Sequence, residues 1–301
     1  MTTVVALVTA RAARGLDEDM PPLTAALSAA GAQSQIVDWD DRGVDWARFD
    51  LVVPRSAWDY AERLPEFLAW AERVARLTTL VNALPVLRWN TDKHYLGELA
   101  RAGAPVVPTW YVEPGEDAGG ALDELLAAEA CRELVVKPAV GAGARDARRH
   151  ARAARAEILA HLAPLLAARR SVMLQPYLES VDTSGETALM YLDGRFSHAI
   201  RKGALLPSGA PSTSGLFAPE DIVSRTPRAD ELAAADRILA AAPFARLPYA
   251  RVDLLRDATG APRLLELELT EPSLFLAHAP GSAGRFAAAL LACLGGRPPN
   301  M

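Results

Sequence analysis

The sequence predicts an α/β lobe followed by a larger α+β region. Over residues 1–89, short apolar runs alternate with helical patterns, which is typical of a parallel sheet covered by helices on both faces. Beyond that point, helices are mixed with strand patterns of antiparallel type, two of which are joined by Asp193-Gly194, a dipeptide suited to a two-residue hairpin turn. A chain of 301 residues is long enough for two or three lobes with substantial cores.

The elements of the first lobe follow one another at the spacing of βα units. The predicted strands are Val4–Val8, Ser34–Trp39, Phe49–Val53 and Thr79–Asn82, and the predicted helices are Pro22–Ala30 and Leu64–Ala75. We expect Pro54 to end the third strand, because proline has no N–H to donate to a neighbouring strand. This order predicts a small Rossmann-like lobe.

The remainder is predicted to form a central lobe over residues 90–172 and a C-terminal lobe over residues 173–301. Its predicted elements are a helix at Thr91–Ala102 and strands at Leu134–Pro138, Val172–Leu178, Thr187–Leu192 and Arg195–Lys202. The segment from Gly203 to Gly215 combines Gly, Pro, Ser and Thr, which predicts a long loop. Loops of this length within compact domains are often lids over functional sites.

Composition excludes several classes of protein. The net charge of −5 provides no basic surface for nucleic acid. Cys131 and Cys293 are the two cysteines, too far apart for a metal motif, which indicates a reducing, cytoplasmic setting without a disulfide framework. Because no apolar run approaches ~20 residues, no membrane span is expected, and the first apolar segment is interpreted as a strand rather than a signal peptide.

Two carboxylates in one strand pattern indicate a site for a divalent cation. In Arg263–Leu269, alternation places Leu265, Leu267 and Leu269 toward the core, with Glu266 and Glu268 together on the other face. If the segment Tyr249–Leu255 lies beside it, Arg251 and Asp253 join the same surface. Hard oxygen ligands of this kind suit Mg²⁺. A solvated face with a surface Arg–Glu pair is an equal alternative on spacing alone.

The lysines are few enough for their positions to be informative. Lys93, Lys137 and Lys202 are the three lysines of an arginine-rich chain, so each lysine is a candidate for a role as a compact, movable charge. Lys137 ends an apolar strand and precedes a loop containing Gly141 and Gly143, an arrangement that can bind phosphate. The alternative is a lysine that extends to solvent. Neither the GxxxxGK[ST] nor the GxGxxG motif is present.

Taken in order, these features resemble the nucleotide site of the ATP-grasp family. The matching residues are Lys93, Lys137 with its glycine loop, Gln175-Pro176-Tyr177-Leu178-Glu179, Glu186, Arg201-Lys202, Arg251, Asp253, Glu266 and Glu268. The resemblance extends from about Asn90 to the C-terminal part of the chain. It implies an ATP-grasp fold in which two α+β lobes clamp the nucleotide and the Rossmann-like lobe forms the N-terminal domain.

The resemblance implies roles for these residues. The residues implied to bind ATP are Lys93, Lys137, Gly141 and Gly143 at the phosphates, Gln175, Tyr177 and Leu178 around the adenine, and Glu179 or Glu186 at the ribose. Those implied to face the γ-phosphate and the substrate carboxylate are Arg201, Lys202 and Arg251. Those implied to ligate Mg²⁺, or Mn²⁺ as an alternative, are Asp253, Glu266 and Glu268, where many members of the family have Glu-x-Asn instead of Glu266-x-Glu268. Glu271 is a further candidate ligand.

Three segments resemble a narrower branch of that family, the cyclo-ligases that convert O-ureido-D-serine to D-cycloserine in antibiotic biosynthesis. They are Thr9–Arg11, Val53–Tyr60 and Leu87–Lys93. This branch implies an acyl phosphate that is captured by a nitrogen of the same small, amino-acid-like molecule. Arg55, Ser56 and Asp59 are candidates for binding the amino-acid end of the substrate, although Ser56 and Asp59 equally suit the start of a helix.

Two other functions stay open at this point. An intermolecular amino-acid or peptide ligase would use the same residues with a nucleophile from a second molecule. A non-catalytic nucleotide-binding protein would keep the lysines without needing the three carboxylates, all of which are present. A homodimer, formed through the N-terminal lobe or the apolar segment from Gly284 to Leu294, is a further hypothesis.

Overall fold

The computed structural model describes residues 2–206 and 221–296 as three lobes, each built on its own sheet. The strands are β1 (Val4–Thr9), β2 (Gln33–Asp38), β3 (Leu51–Ser56), β4 (Thr79–Leu80), β5 (Trp110–Val112), β6 (Glu133–Pro138), β7 (Arg148–Ala151), β8 (Val172–Pro176), β9 (Glu186–Leu192), β10 (Arg195–Lys202), β11 (Ile222–Arg225), β12 (Tyr249–Arg256) and β13 (Pro262–Glu268). The helices are α1 (Met20–Ala29), α2 (Leu64–Leu77), α3 (Leu84–Asn90), α4 (Tyr95–Arg101), α5 (Ala118–Ala128), α6 (Arg155–Ala167), α7 (Ser180–Ser184), α8 (Ala229–Ala241) and α9 (Ser282–Leu291).

The first lobe is the expected parallel sheet, with strand order β2-β1-β3-β4. Its fully buried strands carry near-continuous apolar runs, as strands covered on both faces require. The expected end of β3 at Pro54 is wrong, because the strand continues to Ser56. On one side β4 pairs only with Leu51 and Val52, so the missing N–H of Pro54 costs no hydrogen bond there.

The central lobe has a four-stranded antiparallel sheet in the order β5-β8-β6-β7. Its core lies between this sheet and the helices α5 and α6. The boundary expected between residues 172 and 173 falls at the start of β8, and the central sheet therefore continues to Pro176. The glycine-containing loop spans residues 139–147, between β6 and β7.

The C-terminal lobe is a five-stranded antiparallel sheet in the order β11-β10-β9-β12-β13. The predicted hairpin is confirmed as β9 and β10, with Asp193 at φ 49° and Gly194 at φ 72° in its turn. The predicted pairing of β12 with β13 is confirmed as well. Their register shifts after Asp253, where Leu254 pairs with Leu264 and an extra residue is inserted in β13.

The inserted residue corrects one expectation about the core. Leu264 and Leu267 are buried in the core, but Leu265 contacts an apolar cluster at the other face of the sheet. Two consecutive side chains, Leu265 and Glu266, therefore face the same cavity. Simple alternation could not place both there, because it assumes an unbroken ladder.

The first and third lobes share a hydrophobic core, which positions one against the other. Helix α9 packs on α1, and Phe286 and Leu290 are fully buried within the chain. The segment 284–294, a candidate dimer surface on sequence grounds, therefore buries apolar side chains within the chain itself. Of the helices within the described ranges, none has the length and apolar character needed to cross a membrane.

Candidate active site

A cavity of about 520 Å³ lies where the three lobes meet. Its walls come from the glycine-containing loop, the β12–β13 face and the segments that follow β1 and β3. One end is apolar, the middle is densely charged, and the far end lies against the first lobe. A concave site with convergent polar groups at a lobe junction is the usual location for ligand binding.

The apolar end is a narrow chamber between the central and C-terminal lobes. Its contacting side chains are Val135, Tyr177, Leu178, Val181, Leu206, Leu255 and Leu265. The Arg149 guanidinium lies 3.7 Å from the centre of the Tyr177 ring, and the Tyr177 hydroxyl donates to Asp182 at 2.5 Å, so that ring is fixed in place. Gln175 also lines the cavity, and its Nε2 donates to Thr109 Oγ1 at 2.8 Å. The chamber suits a flat aromatic base.

The loop between β6 and β7 forms one wall of the middle of the cavity. Gly143 and Ala144 take left-handed φ values of 64° and 58°, so consecutive residues leave the extended conformation. Lys93 Nζ donates to Gly141 O at 2.6 Å. Backbone turned in this way forms concave rows of N–H groups that suit phosphate. Residues 207–215 of the expected lid lie outside the described residues.

The middle of the cavity contains four cations and four carboxylates in alternating contact. The side chains are Lys93, Lys137, Lys202, Arg251, Glu186, Asp253, Glu266 and Glu268. The β12–β13 register places Arg251 opposite Glu268 and Asp253 opposite Glu266, so the predicted convergence of these residues is confirmed. All of these strand residues are buried or half-buried. The alternative of a solvated outer face is therefore wrong.

The ion pairs link side chains of five strands, β6, β9, β10, β12 and β13, with Lys93, which precedes α4. Lys137 Nζ lies 2.8 Å from Glu266 Oε1, and Lys93 Nζ lies 3.9 Å from Glu266 Oε2. Arg251 Nε lies 2.9 Å from Asp253 Oδ1, and Arg251 also pairs with Glu268. Lys202 Nζ lies 2.9 Å from Asp253 Oδ2 and pairs with Glu186 across the β9–β10 ladder. Every lysine of the chain thus reaches one cluster.

The cluster shifts the acidity of its carboxyl groups in both directions. Burial would raise the pKa of Glu266, but the ammonium groups of Lys137 and Lys93 outweigh it and lower that pKa to about 2. Burial likewise opposes ionisation of Asp253, yet Arg251 and Lys202 hold its pKa well below the usual range. Burial raises the pKa of Glu186 to about 8, although Lys202 opposes it. Strongly shifted groups in one cavity are typical of functional sites.

The same residues fit a magnesium ion by the chemistry of their oxygens. Asp253, Glu266 and Glu268 are carboxylates at adjacent register positions of two strands, and all three line the cavity. Within the residues that the structure describes, no three acidic, histidine or cysteine side chains form a ready-made metal site. Their oxygens instead contact lysines and Arg251. When a nucleotide is bound, these lysine and arginine side chains would contact its phosphates instead. The carboxylates would then be available to bind a cation.

Three residues of the first lobe lie outside the cavity wall. Arg55 is fully buried, with its Nη2 3.1 Å from Asp19 Oδ2 and its Nε 3.9 Å from Asp17 Oδ2. Ser56 is also fully buried and donates to Thr9 Oγ1, and Asp59 accepts from the Trp39 indole N–H. They differ from the expected substrate-binding side chains because each is engaged inside the first lobe or at its junction with α9: Arg55 with Asp19 and the Phe286 ring, Ser56 with Thr9, and Asp59 with Trp39.

Two further candidates point away from the cavity. Arg201 follows the opposite face of β10 from Lys202, and its Nη2 lies 3.0 Å from Asp221 Oδ2. Glu179 is half exposed, 3.7 Å from Arg132 Nε, and does not line the cavity. Neither has the described contacts expected of a residue at the γ-phosphate or the ribose. Leu178 and Glu186, by contrast, do line the cavity.

Two residues that shape the far end of the cavity were not among the candidates predicted from the sequence. Tyr60 lines it, and burial, followed by the fields of Glu271, Glu268 and Glu266, raises its pKa well above the usual value. Asp19 accepts from the backbone N–H groups of Leu274 and Leu276 and thereby holds the segment after β13 against the first lobe. The Asp17–Glu18–Asp19 run was the available signal, but its distant partner could not be read from the pattern.

Comparisons with known proteins agree with this geometry. Residues 5–82 match the family model of the N-terminal domain of D-cycloserine synthetase DcsG. Over 294 residues, covering 95% of this chain and 97% of the relative, the chain is 45% identical to the cycloserine biosynthesis protein DcsG of Streptomyces lavendulae. It matches the crystal structure of D-cycloserine synthetase DcsG with a TM-score of 0.91 and 43% identity, over 97% of this chain and 99% of that one.

A more distant structure shows the same fold. It is the ATP-grasp ligase PsnB complexed with a minimal precursor, Mg and ADP, with a TM-score of 0.63, 20% identity and coverage of 97% of each chain. The expected fold, with its Rossmann-like and two α+β lobes, is therefore confirmed. The chain belongs to the D-cycloserine synthetase family of ATP-grasp ligases and is an ATP-dependent ligase.

Proposed function

We propose that this ligase closes the ring of O-ureido-D-serine to give D-cycloserine, with ATP activating the carboxylate. The charged cluster at the middle of the cavity carries the proposal, because it supplies cations for phosphates and carboxylates for a metal at one place. The kinship with DcsG, a D-cycloserine synthetase, supports the product, and the substrate is the one that the family resemblance implies. The reaction would release ADP, and it would take place in antibiotic biosynthesis.

The nucleotide would enter with its base in the apolar chamber. Leu178 and Leu265 line opposite sides of that chamber, and the backbone at Tyr177 and Leu178 follows directly on β8. The phosphates would then reach the loop at Gly141 and Gly143 and the ammonium groups of Lys93 and Lys137. Phosphate binding by a point-charge lysine together with backbone N–H groups is a common arrangement.

Asp253, Glu266 and Glu268 would hold Mg²⁺, with Mn²⁺ as the alternative, once the phosphates occupy the lysines. The bound ion would neutralise charge on the transferring phosphoryl group. The PsnB complex with Mg and ADP supports this assignment for the fold. Glu268, where related ligases carry asparagine, already pairs with Arg251, so its charge is partly compensated within the protein.

Lys202 and Arg251 would orient the substrate carboxylate toward the γ-phosphate. A carboxylate oxygen attacks phosphorus, the bond to the ADP oxygen breaks, and an acyl phosphate forms. A nitrogen of the same substrate then attacks the acyl carbon and loses its proton as inorganic phosphate departs. Both cations lie in a buried environment, where fixed charges stabilise such transition states more strongly than in water.

The test is product formation from O-ureido-D-serine with ATP and Mg²⁺. ADP and phosphate release would be measured with and without substrate, and D-cycloserine would be identified by mass spectrometry. Substrate-dependent ADP with the ring product supports the proposal. ADP release only when a second amino acid is added would favour an intermolecular ligase, and ATP binding without turnover across an amino-acid panel would favour a non-catalytic nucleotide-binding protein.

A further inference from the structure

Glu271 is a buried carboxylate at the far end of the cavity. Its side chain lines the cavity and is 8% exposed. Within residues 2–206 and 221–296, its carboxylate makes neither a hydrogen bond nor an ion pair with another side chain or backbone group. A buried charge without a partner is costly, which makes such a group a candidate for contact with a ligand.

The backbone around Glu271 is fixed on both sides. Before it, the carbonyl of Thr270 accepts from the Tyr249 hydroxyl at 2.9 Å. After it, the carbonyl of Ser273 accepts from Arg251 Nη1 at 3.0 Å, and Leu274 N donates to Asp19 Oδ2. The backbone that carries this carboxylate is therefore held in place, as the backbone of a pre-organised binding site is.

The charge balance of the cavity indicates the sign of the missing partner. The four carboxylates of the middle cluster already contact its four cations. Glu271 is an additional acidic group, and burial, reinforced by Glu268, raises its pKa well above the usual value, so its ionised form needs a partner. A cationic group of a ligand would supply the compensation that is lacking.

Position makes an amino-acid ammonium a better match than a metal ion. Glu271 follows the β13 carboxylates by three residues, no more than about 10 Å of chain beyond Glu268. It lies on the side of the first lobe, since its charge helps to raise the pKa of Tyr60 and the nearby charge of Arg55 opposes the rise in the pKa of Glu271. A small zwitterion could therefore place its carboxylate at Arg251 and its ammonium at Glu271.

We propose that Glu271 binds the α-ammonium group of a zwitterionic amino-acid substrate and so orients its carboxylate toward Arg251 and Lys202. This role rests on the proposed function, which requires a substrate of that class. It adds the recognition of the amino group, which Arg55, Ser56 and Asp59 do not provide because they lie outside the cavity wall.

The experiment measures binding by calorimetry in the presence of ADP and Mg²⁺, so that turnover is not needed. The ligands are O-ureido-D-serine and its deamino analogue, which lacks only the α-ammonium group. The wild type should prefer the amino acid by about 30-fold or more, as expected for a buried charged pair. In Glu271→Gln the preference should fall to about threefold or less, and Glu271→Asp should recover part of it.

The controls separate this role from general damage. Glu124→Gln makes the same change on the exposed side of α5 and should keep the wild-type preference. Thermal unfolding verifies that the variants are folded. A preference that survives in Glu271→Gln overturns the proposal, as does weaker Mg²⁺ binding with an unchanged preference, which would make Glu271 a metal ligand.

A separate outcome addresses the substrate itself. If the wild type binds neither ligand while binding ADP, the proposed substrate is wrong, and the comparison is repeated with D-alanine and propanoate. A preference for D-alanine that is lost in Glu271→Gln then supports the ammonium site independently of ring closure. Equal or absent binding of that second pair overturns the site as well.

Discussion

Two networks of buried charges lie at the junction of the lobes, and they differ in what covers them. In the first network the cation, Arg55, lies behind the cavity wall, and its partner Asp19 is held by backbone N–H groups of the segment after β13, although Asp17 and Asp19 reach the wall. In the Lys–Arg–carboxylate cluster all four cations line the cavity, although they are also buried. Burial and pairing alone therefore do not identify an active site. Access of the cations to the cavity is the feature that distinguishes it.

The closed network stabilises the arrangement of lobes, whereas the open one can exchange partners. Arg55 bridges two aspartates, and Asp19 connects them to a segment more than two hundred residues later in the chain. In the cavity, each lysine contact with a carboxylate can be replaced by a phosphate oxygen. We therefore expect substitutions in the closed network to change stability and substitutions in the open cluster to change turnover.

The largest expected effect is the loss of turnover on substitution of Lys137. Lys137→Ala removes an ammonium group that lies 2.8 Å from Glu266, at the proposed phosphate site. We expect kcat to fall by about 10³-fold or more, because a fixed charge at the transferring phosphoryl group is lost. The free energy of unfolding should change far less, since Lys93 still lies near Glu266. Steady-state ADP release and urea unfolding measure the two effects.

The matched control for Lys137 is Arg132→Ala, an exposed cation at the opposite end of the central lobe. Its kcat should stay within about twofold of the wild type, because surface ion pairs contribute little. Retention of near-normal turnover by Lys137→Ala would contradict the assignment of the open cluster as the catalytic region.

A stability effect of the next size is expected in the closed network. Arg55→Met keeps most of the side-chain volume but leaves Asp17 and Asp19 buried without their cation. We expect the free energy of unfolding to fall by about 3 kcal/mol or more, the usual cost of breaking a buried charged pair. Urea unfolding would be compared with Arg48→Met, an exposed arginine of the same lobe. Equal free energies of unfolding for the two variants would contradict the stabilising role of the closed network.

A smaller, pH-dependent effect is expected from a histidine pair in the central lobe, in which His161 is half-buried. His161 Nδ1 lies 3.0 Å from His150 Nε2, and burial together with His150 lowers the pKa of His161 to about 4. Since this value is below that of the unfolded chain, the contribution is present above about pH 6.5 and is lost as the pH falls toward 4. The loss should amount to about 2 kcal/mol.

The measurement is urea unfolding of the wild type and His161→Gln at several values between pH 7.5 and 4.5. The difference in unfolding free energy between the two proteins should diminish as the pH falls, because only the wild type binds a proton at position 161 on unfolding, whereas both retain His150. Parallel pH dependences of the two proteins would show that His161 titrates in the same way in both states.

The sequence was informative wherever the decisive geometry is local. The hairpin at Asp193-Gly194 depends on two residues, and the shared face of Arg251 and Asp253 follows from the period of a strand. Because lysine occurs at only three positions, the location of the cluster could be predicted without its carboxylate partners. These features needed no information about the packing of distant segments.

The features that were not predicted depend on contacts between distant segments. The inserted residue that turns Leu265 toward the cavity arises from the pairing of two strands, and β3 continues past Pro54 because β4 is short. Arg55 lies at the carboxyl end of β3, a position that commonly binds ligands, yet it is fully buried against Asp19 and the Phe286 ring of α9. Patterns of burial do not reveal which segment provides the cover.

The smallest effect on kcat is expected for Arg201. Its neighbour in the chain, Lys202, should show one of the larger effects. Arg201 and Lys202 are successive residues of β10 and therefore point to opposite faces. Lys202 reaches Asp253 in the cavity, whereas the described contact of Arg201 is with Asp221. We expect Lys202→Ala to lower kcat by about 10²-fold or more, and Arg201→Ala to lower it by about threefold or less. A comparable loss of ADP release in both variants would show that Arg201 also acts on the γ-phosphate, as the family resemblance implied, and that the open region extends beyond one face of β10.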